Sequence, residues 1–256
     1  MAHPKLRHTA ADLREDAARE ALAGVDVLYH LGFALWRSRD AAHVNRDGTR
    51  NVLAARPARV VLASSAAVYG AWPDNPLPLT EEHWPRPNRE CGYATDKLRA
   101  ERLCADSTSS VALRIAAVLG PHADAKVAHA VRGYRIGVPA IRGTTEALQF
   151  LDEDDTAAAL HRAGSASVTG VVNIASADWL DAAGVAAVAG SRVIRLPGPV
   201  LLAASEAAFR LHRAPFGADR AILVRGPLAL DPARALRELG WQATRSSAEV
   251  LTDALR

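Results

Sequence analysis

A chain of 256 residues with 49% hydrophobic and 23% charged side chains has the make-up of one or two globular α/β domains and enough apolar material for a sizeable core. Its net charge of +3 comes from arginines scattered among acids, with no basic stripe interleaved with aromatics, which excludes nucleic acid as a partner. No apolar run approaches the ~20 residues of a membrane span and no apolar leader follows Met1, while Cys91 and Cys104 make neither a metal-ligand spacing nor a disulfide framework, so a reducing cytoplasm is expected.

In chain order, apolar periodicity predicts a strand near 5–11, a helix over 15–23, a strand over 25–31, a helix over 39–55, a strand over 58–64, a helix over 93–106 and a strand over 111–118. The segment Ala58-Arg59-Val60-Val61-Leu62-Ala63, running into Ser64-Ser65, is continuously apolar and so reads as a buried parallel strand. Between Ala71 and Gly92 the chain holds Pro73, Pro76, Pro78, Pro85 and Pro87, too many for a regular element. Shorter elements follow, with strands at 138–142 and 170–174. The chain therefore divides into an α/β layer over 1–120 and a mixed α/β part over 121–256. The basic stretch that includes Arg192, Arg195, Arg210, Arg213, Arg220 and Arg225 has irregular spacing and reads as a solvated face.

The chemistry-bearing pattern is Ser65 at the end of the 58–64 strand, followed by Tyr93 and Lys97. Four residues apart on a helix, Tyr93 and Lys97 share one face, with Cβ atoms roughly 6 Å apart. A free phenol titrates near pH ~10, too high for acid-base work at neutrality, and a nearby cation favours its ionised form. A serine hydroxyl at the strand end would hold a substrate oxygen against that phenol. A Tyr-Lys pair alone is as readily a solvated helix face, but here a strand runs into the serine, and of 31 Lys and Arg residues only Lys5, Lys97 and Lys126 are lysines.

These residues, with others in the same order, resemble the extended short-chain dehydrogenase/reductase family, the NAD-dependent epimerase/dehydratase group. Asp12-Leu13 resembles the pair that touches the adenine, and Val25 to Phe33, through His30-Leu31-Gly32-Phe33, resembles the fourth strand and its His-Leu-Ala-Ala turn beside the cofactor. Asn45, Gly48-Thr49 and Asn51 resemble the N-x-x-G-T-x-N helix, and Ser65 stands four before the Tyr of Val68-Tyr69-Gly70. Leu113-Arg114 with Gly120-Pro121, Phe150 with Asp154-Asp155, and Leu239-Gly240-Trp241 extend the likeness along nearly the whole chain. The resemblance implies a Rossmann-like parallel sheet with a smaller substrate-binding part drawn mostly from residues 121–256. It implies Ser65, Tyr93, Lys97 and Asn45 as catalytic residues, and Asp12, Leu13, Leu31, Gly32, Phe33, Ser64, Tyr93 and Lys97 as contacts of NAD or NADP.

The first glycine is Gly24, so the family's glycine turn, whose backbone N–H groups hold the cofactor pyrophosphate, is not in the sequence. The fold is accordingly expected to be truncated by its first βαβ unit, to bind NAD(P) weakly, and to answer an uncovered strand edge with a homodimer or a rearranged sheet that gives residues 5–11 a new neighbour. Ala66 and Ala67 replace the acid pair of the family's dehydratases, and Ala117 and Leu119 replace its Asn and Tyr. The substrate is thus expected to be a small carbonyl or secondary alcohol rather than a sugar nucleotide, with Phe33, Trp36, Trp72 and Trp84 available as an apolar wall. His30 reads as structural, His122 as a surface residue, and Asp154-Asp155 as a helix cap rather than a metal site. Three readings stay open: an NAD(P)-dependent oxidoreductase or epimerase-like enzyme, a cofactor-free pseudoenzyme using the old cleft for a ligand or partner, and a start-site truncation of a longer enzyme.

Overall fold

The computed structural model describes residues 7–107 and 109–256. Ten helices and eight strands are found among them: α1 Asp16–Ala21, β1 Val27–His30, α2 Ala41–Ala54, β2 Arg59–Ser65, α3 Gly92–Ser107, β3 Ser109–Ile115, β4 Ala117–Leu119, α4 Ala125–Gly133, β5 Val138–Ile141, β6 Phe150–Asp152, α5 Glu153–Ser165, β7 Gly170–Ile174, α6 Ala182–Ala189, β8 Val193–Leu196, α7 Gly198–Arg210, α8 Ala218–Ala221, α9 Ala233–Leu239 and α10 Ser247–Ala254.

Four strands form a parallel sheet in the order β1-β2-β3-β7. β2 is central because both of its faces are apolar: Val60 and Leu62 pack with Val52 of α2 and Ala100 and Cys104 of α3, whereas Val61 packs with Leu113 and with Ala159 and Ala163 of α5. Helices on both faces are what let a parallel sheet bury continuous Val and Leu runs. Two smaller parallel pairs, β4-β6 and β5-β8, belong to a second cluster in which Leu119, Val131, Phe150, Val185 and Leu251 are buried together. Among the described residues no helix is long and apolar enough to cross a membrane.

The periodic segments appear where expected, with three corrections. Residues 7–12 carry no strand, and residues 5 and 6 of the expected strand lie outside the described residues. A strand needs a partner for its backbone groups, and among the described residues β1 pairs only with β2, so the 7–12 segment is not that partner. It is held instead at its C-terminal side, where the Asn51 amide of α2 donates to the carbonyls of Leu13 and Glu15. The strand expected over 111–118 is split at Ala116, whose N–H donates to the Ile174 carbonyl, leaving β3 against β7 and β4 against β6. The cap of α5 is Asp152, which accepts from the Asp154 N–H, while Asp155 accepts from the backbone and hydroxyl of Thr244.

Candidate active site

β2 ends at Ser64-Ser65 and the chain turns at once into a short 3-10 helix over Ala66–Tyr69, whose first turn Ser65 caps by accepting from the Ala67 N–H. α3 then begins at Gly92, so that Tyr93 lies in its first turn and Lys97 one turn further along. The two serines face different partners. Ser64 is buried and donates to Glu101 Oε1 at 2.5 Å, which takes it away from any ligand. Ser65 stands beside the Tyr93 phenol and favours its ionised form.

Burial pushes the Tyr93 phenol above its ordinary range, and the charge of Arg220 together with the Ser65 hydroxyl pulls the other way. Lys97 is 3% exposed. Burial, opposed by Glu101 and assisted by Arg220, brings its ammonium down to about 7. Its Nζ donates to the Ala63 carbonyl of β2 at 2.5 Å and sits 3.8 Å from the centroid of the Phe33 ring. The phenol ring centroid is further off, at 5.7 Å.

Phe33 belongs to a strap, residues 31–37, that leaves β1 and crosses the mouth of the site. The Asn45 side chain holds its middle, accepting from the Ala34 N–H at 2.7 Å and donating to the Ala34 carbonyl at 3.3 Å and to Asp96 at 3.2 Å. Asn45 therefore positions the strap against α3, while Lys97 is oriented by Ala63 and Phe33. On the far side the strap is fastened to the C-terminal half: Trp36 Nε1 donates to Asp124 Oδ2 at 3.0 Å, Arg37 pairs with Glu206 at 3.0 Å, and the Leu35 carbonyl accepts from Arg220 Nη2. Phe33 also meets Tyr93 edge-on at 6.1 Å and His30 at 6.4 Å. His30 is buried, shares a proton with the Thr49 hydroxyl at 2.9 Å, and is driven down to about 4 by burial and by Lys97, so it is neutral and structural.

Arg220, assigned from its spacing to a solvated face, instead stacks its guanidinium 4.1 Å from the Tyr93 ring centroid and 5.5 Å from that of Trp36. No local sequence signal marks it, because α8 is only four residues long and the contact spans well over one hundred positions. Of the aromatics considered for an apolar wall, Phe33 and Trp36 are at the site. Trp72 is covered by Arg86 and Arg225, and Trp84 is 78% exposed.

The remaining candidates lie along β1 and the segment before α1. Asp12 is bound by Arg14 through both carboxylate oxygens and held down at about 2. Leu13 packs against Gly32 and Gly48, with its Cδ1 2.9 Å from where a Cβ on Gly32 would stand. Leu31 is exposed. Ser65 at the end of β2 and Tyr93 and Lys97 in the first turns of α3 carry a hydroxyl, a phenol and an amine, groups of the chemistry that the nicotinamide end of NAD(P) calls for.

The model of the NAD dependent epimerase/dehydratase family matches residues 2–175. Protein y4nG of Sinorhizobium fredii is 27% identical over 99% of this chain and 68% of its own length, and a Mycobacterium tuberculosis protein is 29% identical over 77% of this chain. The chain spans about half the length of that mycobacterial relative, 54%. In fold it is similar to MoeE5 in complex with UDP-glucose and NAD (TM-score 0.72, 23% identity, 97% of this chain and 84% of that one). It is also similar to the Bordetella bronchiseptica enzyme WbmG in complex with NAD (0.71, 19%, 96% and 76%) and to a UDP-glucose 4-epimerase of Thermotoga maritima with UDP-glucose (0.71, 18%, 96% and 82%). At these identities the likeness is one of fold.

Proposed function

Because this chain belongs to the NAD dependent epimerase/dehydratase family, we propose that it carries out reversible oxidoreduction or epimerase-like chemistry at a carbonyl or secondary alcohol, with Ser65, Tyr93 and Lys97 as its catalytic residues. The observation that supports this reading is the placement of Tyr93 in the first turn of α3 with Lys97 one turn further along, its ammonium buried and donating to the Ala63 carbonyl of β2. When bound, a nicotinamide supplies the hydride donor or acceptor. Ser65 orients the substrate oxygen, and Tyr93 Oη gives a proton to that oxygen on reduction and takes it back on oxidation. Lys97, poised near neutrality, carries the compensating proton.

Asn45 acts through the strap and Asp96 and is a positioning residue. Dehydration is disfavoured, since Ala66 and Ala67 place buried methyl groups where acids would be needed, and Ala117 and Leu119, in place of the family's Asn and Tyr, argue against a sugar nucleotide as substrate. NAD(P) is expected to bind weakly, because Phe33 must leave the Lys97 ammonium before a ribose can reach it. That same contact favours a second reading, a ligand-binding protein without turnover.

The deciding experiment follows NADH and NADPH oxidation across a panel of ketones, apolar and carboxylate-bearing alike, with Tyr93→Phe as the control. Turnover by the wild type that falls about 10²–10⁴-fold in the variant is the expected result. Equal rates across the whole panel would remove the enzyme reading and leave the second.

A further inference from the structure

Arg220 reaches the site from the C-terminal half and is incompletely used. Its Nη2 is bonded to the Leu35 carbonyl and its face covers Tyr93, but its Nε is buried with no acceptor, and it forms no ion pair among the described residues. A buried, unbonded donor costs roughly 1–3 kcal/mol, and a guanidinium without a carboxylate near an acid-base phenol calls for an acceptor from outside the chain. Arg114 is the useful contrast: its Nη1 also lacks an acceptor, yet its charge is met by two bonds to Glu101.

A second cation, Lys126, lies against the Trp36 indole that Arg220 also faces, but its charge is met by the neighbouring Asp124 carboxylate. The Lys126 ammonium lies 4.9 Å from the Trp36 ring centroid, on an indole whose N–H is already held by Asp124. Asp124 also caps α4 through the Lys126 N–H, so both of its oxygens are engaged. Arg37, the third cation of the cluster, is paired with Glu206. Among the described residues the cation of this cluster without an ion pair or a facing carboxylate is thus Arg220, which lies between Trp36 and Tyr93.

We infer that Arg220 is a substrate-recognition residue and that the site takes a carbonyl or hydroxyl compound bearing a carboxylate one or two bonds from the reacting carbon, a 2- or 3-oxo acid or the corresponding hydroxy acid. The planar fork of a guanidinium matches a carboxylate. Because that fork lies against the phenol itself, the group it holds must sit close to the oxygen that Tyr93 serves. The spacing sets the distance between carboxylate and carbonyl, and Trp36 supplies a flat apolar wall for the carbon chain between them. This inference rests on Tyr93 being the acid-base group, but its binding half can be tested without turnover.

Calorimetry with pyruvate and acetoacetate, each against its methyl ester, is the test, run on the wild type, Arg220→Lys and Arg220→Gln with melting curves as the check on folding. Each acid is expected to bind at least tenfold tighter than its ester, Arg220→Lys to lose part of the preference and Arg220→Gln to lose it all. A wild-type acid-to-ester ratio of one, or binding of none of the four probes, overturns the inference whatever the variants do. So does tighter binding of dihydroxyacetone phosphate than of either acid, which would move the site to phosphate. Oxidation of NADH and NADPH with the same probes separates this inference from the enzyme reading. An acid preference that depends on Arg220 without turnover supports the recognition role and removes the enzyme reading, whereas turnover of the esters with no acid preference does the reverse.

Discussion

Two tyrosines near the C-terminal end of β2 each lie under an arginine, and they have opposite fates. Tyr69 is 1% exposed, with Arg114 at 4.6 Å from its ring centroid. Its hydroxyl donates to Asn173 Oδ1 and the Thr80 carbonyl, while Arg114 is fixed by Glu101, which also receives Ser64. Tyr93 lies under Arg220 with Ser65 beside it, and its arginine forms no ion pair among the described residues. The stacked pair is the same. Each arginine leaves one buried N–H without an acceptor, and what differs is whether the guanidinium charge is met by a carboxylate of the protein. A charge met inside the fold contributes order and stability, and one that is not is left for a ligand.

The comparison can be broken most sharply by deleting the same atom on both sides. Tyr93→Phe is expected to abolish turnover, by about 10²–10⁴-fold, with little change in stability. Tyr69→Phe should leave the rate nearly intact and cost about 1–3 kcal/mol, because the buried Asn173 oxygen loses a donor; parallel urea titrations and initial rates measure both. If Tyr69→Phe harmed activity and Tyr93→Phe harmed only stability, the assignment would be inverted.

Glu101→Ala tests how far the Tyr69 network is closed. With Arg114 and Glu101 only 4% and 6% exposed, removing the carboxylate strands a buried guanidinium, and a loss of about 3–5 kcal/mol in denaturant unfolding is expected. A loss below 1 kcal/mol would show that water already reaches the pair.

Lys97 gives a pH signature that the Arg114 side lacks. Its value falls from 10.5 unfolded to about 7 folded, so between pH 7 and 10.5 the unfolded chain binds more protons than the folded one. Stability contributed by this group therefore rises with pH across that window, and the cost of charging the buried amine is fully present below it. Comparing unfolding free energies at pH 7 and 9 in the wild type and Lys97→Met checks the sign, since the variant should lose the upward slope.

The smallest effect is expected at Phe33. Replacing it with Leu keeps apolar bulk but removes an aromatic face worth about 0.5–2 kcal/mol to the ammonium, and should strengthen NAD(P) binding a few-fold by calorimetry. Unchanged affinity would mean that the ring is not in the way.

Much of this was legible in the sequence because it is local. Ser65 follows a continuous apolar strand and Tyr93 and Lys97 are one helical turn apart, so spacing singled out those three as candidates, whereas Asn45 was singled out only by the family resemblance. The strand expected near 5–11 was not realised over its described part, because an apolar pattern supplies no hydrogen-bond partner and among the described residues β1 offers its pairing to β2 alone. Arg220 was unreadable for the opposite reason: its partners Tyr93, Trp36 and Leu35 are fixed by tertiary packing, and no period links α8 to α3. The strap was half legible, since Gly32 and Phe33 were found beside the cofactor path but not the fastening of Trp36 and Arg37 to the far half.

That fastening has a thermodynamic consequence. The strap is tied to Asn45 on one side and to Asp124, Glu206 and Arg220 on the other, and Phe33 rides on it. A small acid that drew Arg220 away from the Leu35 carbonyl would also reduce the work of lifting Phe33 from Lys97. By linkage, a dinucleotide that lifted Phe33 would raise the affinity for the acid by the same factor, so the two ligands would bind cooperatively across a cleft in which they need never touch.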